Sequence, residues 1–154
     1  MAPGPAPVRP EWVIAEANVL RYRPLRAVVL RAAGDATDEE VGLALAAARA
    51  VGVAVSVSSP TWRRAGAAVT VEDEAMLASR LALVSADKVR LLGTTGHALL
   101  LAAHDAGLGV DATPVVGHPA REVLRWVREQ ALSETRHRHG NVTGRHPGPL
   151  ESDP

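Results

Sequence analysis

Short apolar runs alternate with amphipathic segments along the middle of the chain. Residues 26–32 are mostly apolar, carry β-branched side chains at their centre and follow Pro24, which predicts a strand. Thr37 and Glu40 have the spacing of a capping box, so a helix should begin there and stop at Gly52. The chain therefore starts with a strand followed by a helix.

The same alternation continues towards the C-terminus. Strands are predicted at residues 53–57, 68–71, 89–92 and, interrupted by a proline, 110–116. Helices are predicted at residues 72–83, 97–106 and 119–131, and a last extended piece at 132–139. Strands that alternate with helices of about ten residues are typical of a parallel sheet covered on both faces. The predicted fold class is α/β, a Rossmann-like three-layer domain with a mainly parallel sheet.

The two ends of the chain differ from this middle part. Residues 1–15 and 143–154 are rich in proline and polar residues, so we expect a disordered leader and a disordered tail. Residues 16–142 should form the Rossmann-like domain with a closing C-terminal strand.

Composition narrows the possible partners and the location. The formal net charge is zero, with 17 basic and 17 acidic residues, so nothing attracts nucleic acid or a membrane surface by charge. No run of 18 apolar residues exists to span a membrane, and the start lacks the features of a secretory signal. The expected location is the cytoplasm.

Candidate chemistry is limited by the absence of cysteine, which excludes disulfides, thiolate metal sites and a cysteine nucleophile. His137 and His139 could share one face of a strand, but the flanking Arg136 and Arg138 would repel a cation. We therefore predict no catalytic residue and no metal site.

One turn has the position of a phosphate-binding loop. Gly93, Thr94, Thr95 and Gly96 lie between a predicted strand and a predicted helix, where backbone amides can hold a phosphate. They are the candidate cofactor-binding residues, but no cofactor is predicted, and NAD is the ligand only in the alternative in which this turn binds one. The spacing is not that of a dinucleotide fingerprint, so a plain turn is the other interpretation.

Two segments carry a family resemblance. The segment Leu-Arg-Tyr-Arg-Pro-Leu at 20–25 and residues 128–140, which finish in Arg-His-Arg-His-Gly, resemble the C-terminal domain of long proline utilization A proteins and related actinobacterial glutamate-γ-semialdehyde dehydrogenases. The resemblance implies a degenerate aldehyde dehydrogenase nucleotide-binding fold without catalysis. It also implies that the closing segment contacts a proline-catabolic dehydrogenase. We expect no cofactor in this chain itself.

The expected interface residues are aromatic or basic, the types that anchor protein contacts. They are Tyr22, Trp126, Arg136, His137, Arg138 and His139. Trp126 could equally belong to the core. Three alternatives stay open: a small NAD(P)-binding oxidoreductase module, a fragment of a split dehydrogenase, and a module that self-associates through the closing strand.

Overall fold

The computed structural model describes residues 16–61, 67–115, 117–135, 137–138 and 141–142. The chain divides into two compact units. The larger unit is Arg23–Arg128, and the smaller contains the described residues on either side of it. The predicted leader and tail, residues 1–15 and 143–154, lie outside the described residues.

The described elements follow one another as strands and helices with two short 3-10 turns, at Leu81–Leu83 and Leu124–Trp126. In chain order they are β1 (Glu16–Pro24), β2 (Ala27–Ala32), α1 (Asp38–Ala50), β3 (Ala54–Ser59), β4 (Val69–Val71), α2 (Glu74–Arg80), β5 (Lys88–Leu92), α3 (His97–Asp105), β6 (Gly109–Asp111), α4 (Pro119–Val123), β7 (Val127–Thr135), β8 (His137–Arg138) and β9 (Asn141–Val142).

The larger unit is built on a five-stranded sheet in the order β4-β3-β2-β5-β6, and all its pairings are parallel. Alternate residues of β2 enter two different cores. Leu30 packs with residues of α1 and with Trp126, while Val29 packs with residues of α2 and α3. The predicted fold class is confirmed: helices cover both faces of a parallel sheet in a Rossmann-like three-layer arrangement.

Local sequence explains the start of α1 and α2. The Thr37 hydroxyl accepts from the Glu40 amide at 3.2 Å, and the Glu40 carboxylate accepts from the Thr37 amide at 2.8 Å. This is the predicted capping box. α2 begins two residues later than predicted because Asp73 is its N-cap and accepts from the Met76 amide at 2.8 Å.

The helix predicted at residues 119–131 is wrong in its second half. α4 ends at Val123, and the chain is a strand from Val127 onward. Its apolar spacing fits a helix, but long-range contacts decide the conformation. Trp126 is completely buried and its carbonyl accepts from the Leu25 amide at 3.0 Å. The strand predicted at 110–116 is also shorter, because β6 ends at Asp111 and Pro114 cannot donate to a sheet.

The smaller unit is built on the pairing of β1 with β7. Arg21 Nε donates to Gln130 Oε1 across the pair at 2.8 Å. The next positions on β1 present apolar groups to solvent, since Leu20 is 61% and Tyr22 53% exposed. β8 and β9 form a separate antiparallel pair. Across the described part of the chain, no helix has the length and apolar character needed to cross a membrane.

Candidate functional site

The carboxyl edge of the parallel sheet is where a ligand would bind in this kind of fold. Strand order reverses between β2 and β5, because β3 and β4 lie to one side of β2 and β6 lies beyond β5. Open α/β sheets bind their ligands in the crevice at this switch point. In this chain the loop after β2 and the turn at residues 93–96 meet there, and Ala33 N donates to the Leu92 carbonyl at 2.9 Å.

Gly93 opens this turn in a conformation that favours glycine. Its φ is +80°, a left-handed value that other residues rarely adopt. A Cβ at this position would overlap the Asp35 side chain and lie 3.0 Å from the Ala36 amide nitrogen. The turn therefore needs glycine both for its backbone and for the close approach of the loop after β2.

The side chain of Asp35 closes the switch point. Thr94 donates its amide to the two Asp35 carboxylate oxygens at 2.9 and 3.1 Å, and its hydroxyl to Oδ2 at 2.6 Å. Hydrogen bonds from neutral donors to a carboxylate are stronger than those between neutral groups. Asp35 thus joins the loop after β2 to the turn after β5 at the place where a nucleotide phosphate would sit.

A second carboxylate holds the end of the same turn. Gly96 donates its amide to the Glu74 carboxylate at 3.2 and 3.0 Å. Gly96 is the N-cap of α3 and has no side chain with which to cap it. The N-terminus of a helix favours negative charge, and here the first residue of α2 provides it.

The four predicted cofactor residues therefore lie together, but they face two carboxylates. The amides of Thr94 and Gly96 are both engaged within the chain. A phosphate at this turn would have to displace Asp35 and Glu74 or approach them against charge repulsion. Binding of NAD by these residues stays an untested alternative, and this geometry counts against it.

Arg31 is a buried cation at the same edge of the sheet. It is 2% exposed and donates from Nη1 to Ser58 Oγ and to the Glu72 carbonyl, both at 2.8 Å. Burial lowers its pKa, and the negative charge of Glu74 gives the largest opposing contribution. Arg31 therefore ties the ends of β3 and β4 to β2.

Glu72 has a second arginine as its partner. Its carboxylate accepts from Arg80 Nε at 2.8 Å, and its residue is 5% exposed. The hydrogen bond from Arg80 lowers the pKa of Glu72 in spite of its burial, with a smaller contribution from Ser58. Glu72 is thus held ionised at neutral pH.

Arg90 is the second buried arginine of the sheet, and it lies on β5. It is 0% exposed and donates from Nη2 to the Glu122 carboxylate at 3.2 Å, where Glu122 is 1% exposed. Its Nη1 also donates to the carbonyls of Asp111 and Thr113. The arginine therefore fixes α4 and the segment after β6 to β5.

The predicted interface residues are placed in different ways. Tyr22 is exposed on β1, whereas Trp126 is 0% exposed in the core of the larger unit, so the structure favours its core interpretation. His137 and Arg138 form β8, and their side chains are not described. Arg136 and His139 lie outside the described residues.

Sequence reasoning missed the charged residues that organise this edge. A signal was present for Arg31 and Arg90, because each is a lone charge inside an apolar run that predicts a buried strand. Nothing in the local pattern distinguishes Asp35, Glu74 or Glu122 from ordinary helix and loop acids, because their partners lie at least 22 residues away in sequence. In the described segments, no three side chains of the metal-binding types come together.

The fold and its switch point define the class of the molecule as a Rossmann-like α/β domain. A solved structure, that of Proline Utilization A (PutA) from Corynebacterium freiburgense, is similar to it, with a TM-score of 0.51 and 26% sequence identity. The match covers 83% of this chain but 11% of that chain, so the chain has a PutA-like fold and spans a small part of PutA. No family model and no curated protein matches the chain.

Proposed function

We propose that this chain is a non-catalytic accessory domain that docks on a proline-catabolic dehydrogenase and completes or stabilises it. The observation that carries the proposal is the structural match to PutA, which extends over 83% of this chain. In proteins of the proline utilization A type, a proline dehydrogenase barrel supplies glutamate-γ-semialdehyde to an aldehyde dehydrogenase module. The proposal gives this chain a supporting role in that oxidation of proline.

The chemistry of the chain supports a role without turnover. Aldehyde dehydrogenases use a cysteine nucleophile, and the sequence has no cysteine. The switch point, where such a fold would bind its dinucleotide, is bridged by Asp35 and Thr94. Oxidation of the aldehyde would then take place on the partner polypeptide.

The exposed face of β1 supports a docking role. Leu20 and Tyr22 are two positions apart on the strand, so both side chains project from the same face. Both are more than half exposed, and an aromatic side chain beside an aliphatic one is typical of an interface centre. The proposed contact surface consists of Leu20 and Tyr22, with Arg136, His137, Arg138 and His139 from the closing segment. Trp126 is excluded because it is buried.

Co-purification tests this proposal. The chain and the proline-catabolic dehydrogenase of the same organism would be co-expressed with an affinity tag on one of them. We expect a complex, and Tyr22→Asp should weaken it by about tenfold or more, because a charge replaces an aromatic contact. Met76→Asp is the matched control, since Met76 is 57% exposed on α2. This variant should bind the dehydrogenase as tightly as the wild type.

The kinetic readout is oxidation of glutamate-γ-semialdehyde by the dehydrogenase with and without the chain. A complex that alters the rate or thermal stability of the enzyme would support the accessory role. Absence of both co-purification and any kinetic effect would contradict it. A dimer of the isolated chain that is sensitive to Tyr22→Asp would instead favour self-association.

A further inference from the structure

The turn at residues 93–96 takes its hydrogen-bond acceptors from distant parts of the chain. Asp35, which accepts from Thr94, is 59 positions away in sequence, and Glu74, which accepts from Gly96, is 22 positions away. Helix N-termini are ordinarily capped by a neighbouring Ser, Thr, Asp or Asn. The turn thus accepts two carboxylates, one from the loop after β2 and one from the first residue of α2, as it would accept an external anion.

The surroundings of the turn are suited to a negative charge. Arg31 is 2% exposed, and its Nε has no hydrogen-bond partner among the described residues. The largest opposing charge acting on this guanidinium is that of Glu74. In the turn itself, the buried Oγ1 of Thr95 likewise lacks a partner within the described part of the chain. The hydroxyl of Thr95 is therefore an unused donor within the turn itself.

We propose that this turn is an anion-binding site filled by the chain's own carboxylates, which close it to external phosphate. Asp35 holds the amide and hydroxyl of Thr94, and Glu74 holds the amide of Gly96. Both acids are part of the same chain, so they meet the turn at a far higher effective concentration than a dissolved anion does. Their charge also repels any phosphate that approaches.

This inference differs from a purely structural role for the two acids. If Asp35 and Glu74 only join loops together, their removal lowers stability and creates no binding. If they occupy an anion site, their removal exposes the amides of Thr94 and Gly96 at the N-terminus of α3, and phosphate should bind there. The two cases differ in the affinity for phosphate, which a stability measurement does not report.

The experiment uses the full chain and inorganic phosphate. Amide chemical shifts of Thr94 and Gly96 are followed by NMR during a phosphate titration of the wild type and of the double variant Asp35→Ala, Glu74→Ala. The double variant should show saturable shifts at both amides, with an affinity about tenfold or more above that of the wild type. A double variant Glu39→Ala, Asp105→Ala is the control, because it removes the same charge from two exposed positions.

Three results would overturn the proposal. They are equal phosphate binding by the wild type and the double variant, no binding by either, and an equal gain in the charge-matched control. If the double variant does not fold, as judged by circular dichroism, the single variant Glu74→Ala is titrated and the Gly96 amide is followed alone.

Hydrogen exchange of the wild type gives an independent measurement. The Gly96 amide should be protected while Glu74 holds it and lose most of its protection in Glu74→Ala. An unprotected Gly96 amide in the wild type would show that the site has no internal occupant, and the proposal would fail regardless of any titration.

Discussion

Arg31 and Arg90 lie on opposite faces of one parallel sheet, and each is at least 98% buried, but their charges are balanced differently. Arg90 donates directly to the buried carboxylate of Glu122. Arg31 donates to neutral oxygens, the hydroxyl of Ser58 and the carbonyl of Glu72. The carboxylate of Glu72 is instead bound by Arg80.

The difference has a physical consequence. A buried charge is tolerated when it is paired and fully hydrogen-bonded. Arg90 is paired with the Glu122 carboxylate between β5 and α4, although its Nε, like that of Arg31, has no hydrogen-bond partner among the described residues. Arg31 depends on the combined field of acids around it, and burial lowers its pKa in spite of them. One arginine thus forms a local ion pair, whereas the other belongs to a charged cluster at the carboxyl edge.

The largest expected effect comes from breaking the local pair. In Glu122→Ala the guanidinium of Arg90 stays buried and loses its closer carboxylate, at 3.2 Å, and among the described residues the carboxylate of Asp111 remains, at 3.5 Å. Removal of one partner of a buried pair costs about 3–5 kcal/mol. Urea unfolding of the variant at neutral pH should show a loss of stability in this range.

The double variant Arg90→Met, Glu122→Leu is the control for this prediction. Apolar residues of similar volume remove both charges together, so most of the lost stability should return. If the double variant is as unstable as Glu122→Ala, the cost lies in the packing of α4 and not in an unpaired charge.

A smaller loss is expected for Arg31→Met. Methionine fills much of the space, and the unfavourable burial of the charge is removed with the arginine. Ser58 Oγ and the Glu72 carbonyl are then left without their donor, which costs about 1–3 kcal/mol. Arg121→Met, at an exposed position of α4, should change stability by about 0.5 kcal/mol or less. If Arg31→Met loses more stability than Glu122→Ala, the charged cluster contributes more to stability than the local ion pair, and the comparison above is wrong.

Local patterns were sufficient to predict most elements of the larger unit, with α4 and β6 predicted too long. The capping box at Thr37 predicts the start of α1, and apolar runs predict β2 and β5 within one or two residues. These signals depend on neighbours in sequence, which a single chain displays. The three-layer class follows from their alternation.

Long-range pairing could not be predicted in the same way. The pairing of β1 with β7 joins segments about a hundred residues apart, and it converts the second half of a predicted helix into a strand. The residues that fill the switch point were also missed, since Asp35 and Glu74 bind a turn that is distant from both of them in sequence. The position of the turn itself was predicted, because it depends only on a strand, two glycines and a helix.

The smallest expected effect concerns low pH and the carboxylate of Glu72, which is bound by Arg80 and not by Arg31. Arg80 lowers the pKa of Glu72, so Glu72 stabilises the fold above its unfolded pKa of about 4.3, and this stability is lost as the pH falls through the lower folded value. Arg80→Met removes the main cause of the shift. We expect it to cost about 1 kcal/mol at neutral pH, since Arg80 is partly exposed, and close to nothing once Glu72 is protonated.

Urea unfolding of the wild type and Arg80→Met across the acid range measures this difference. Arg26→Met is the matched control, because Arg26 lowers the pKa of Asp87 in the same manner but is fully exposed to solvent screening. Its effect should be smaller than that of Arg80→Met at every pH. A pH-independent loss in Arg80→Met would mean that Arg80 stabilises the fold by packing, and the charged cluster around Arg31 would then not depend on an ionised Glu72.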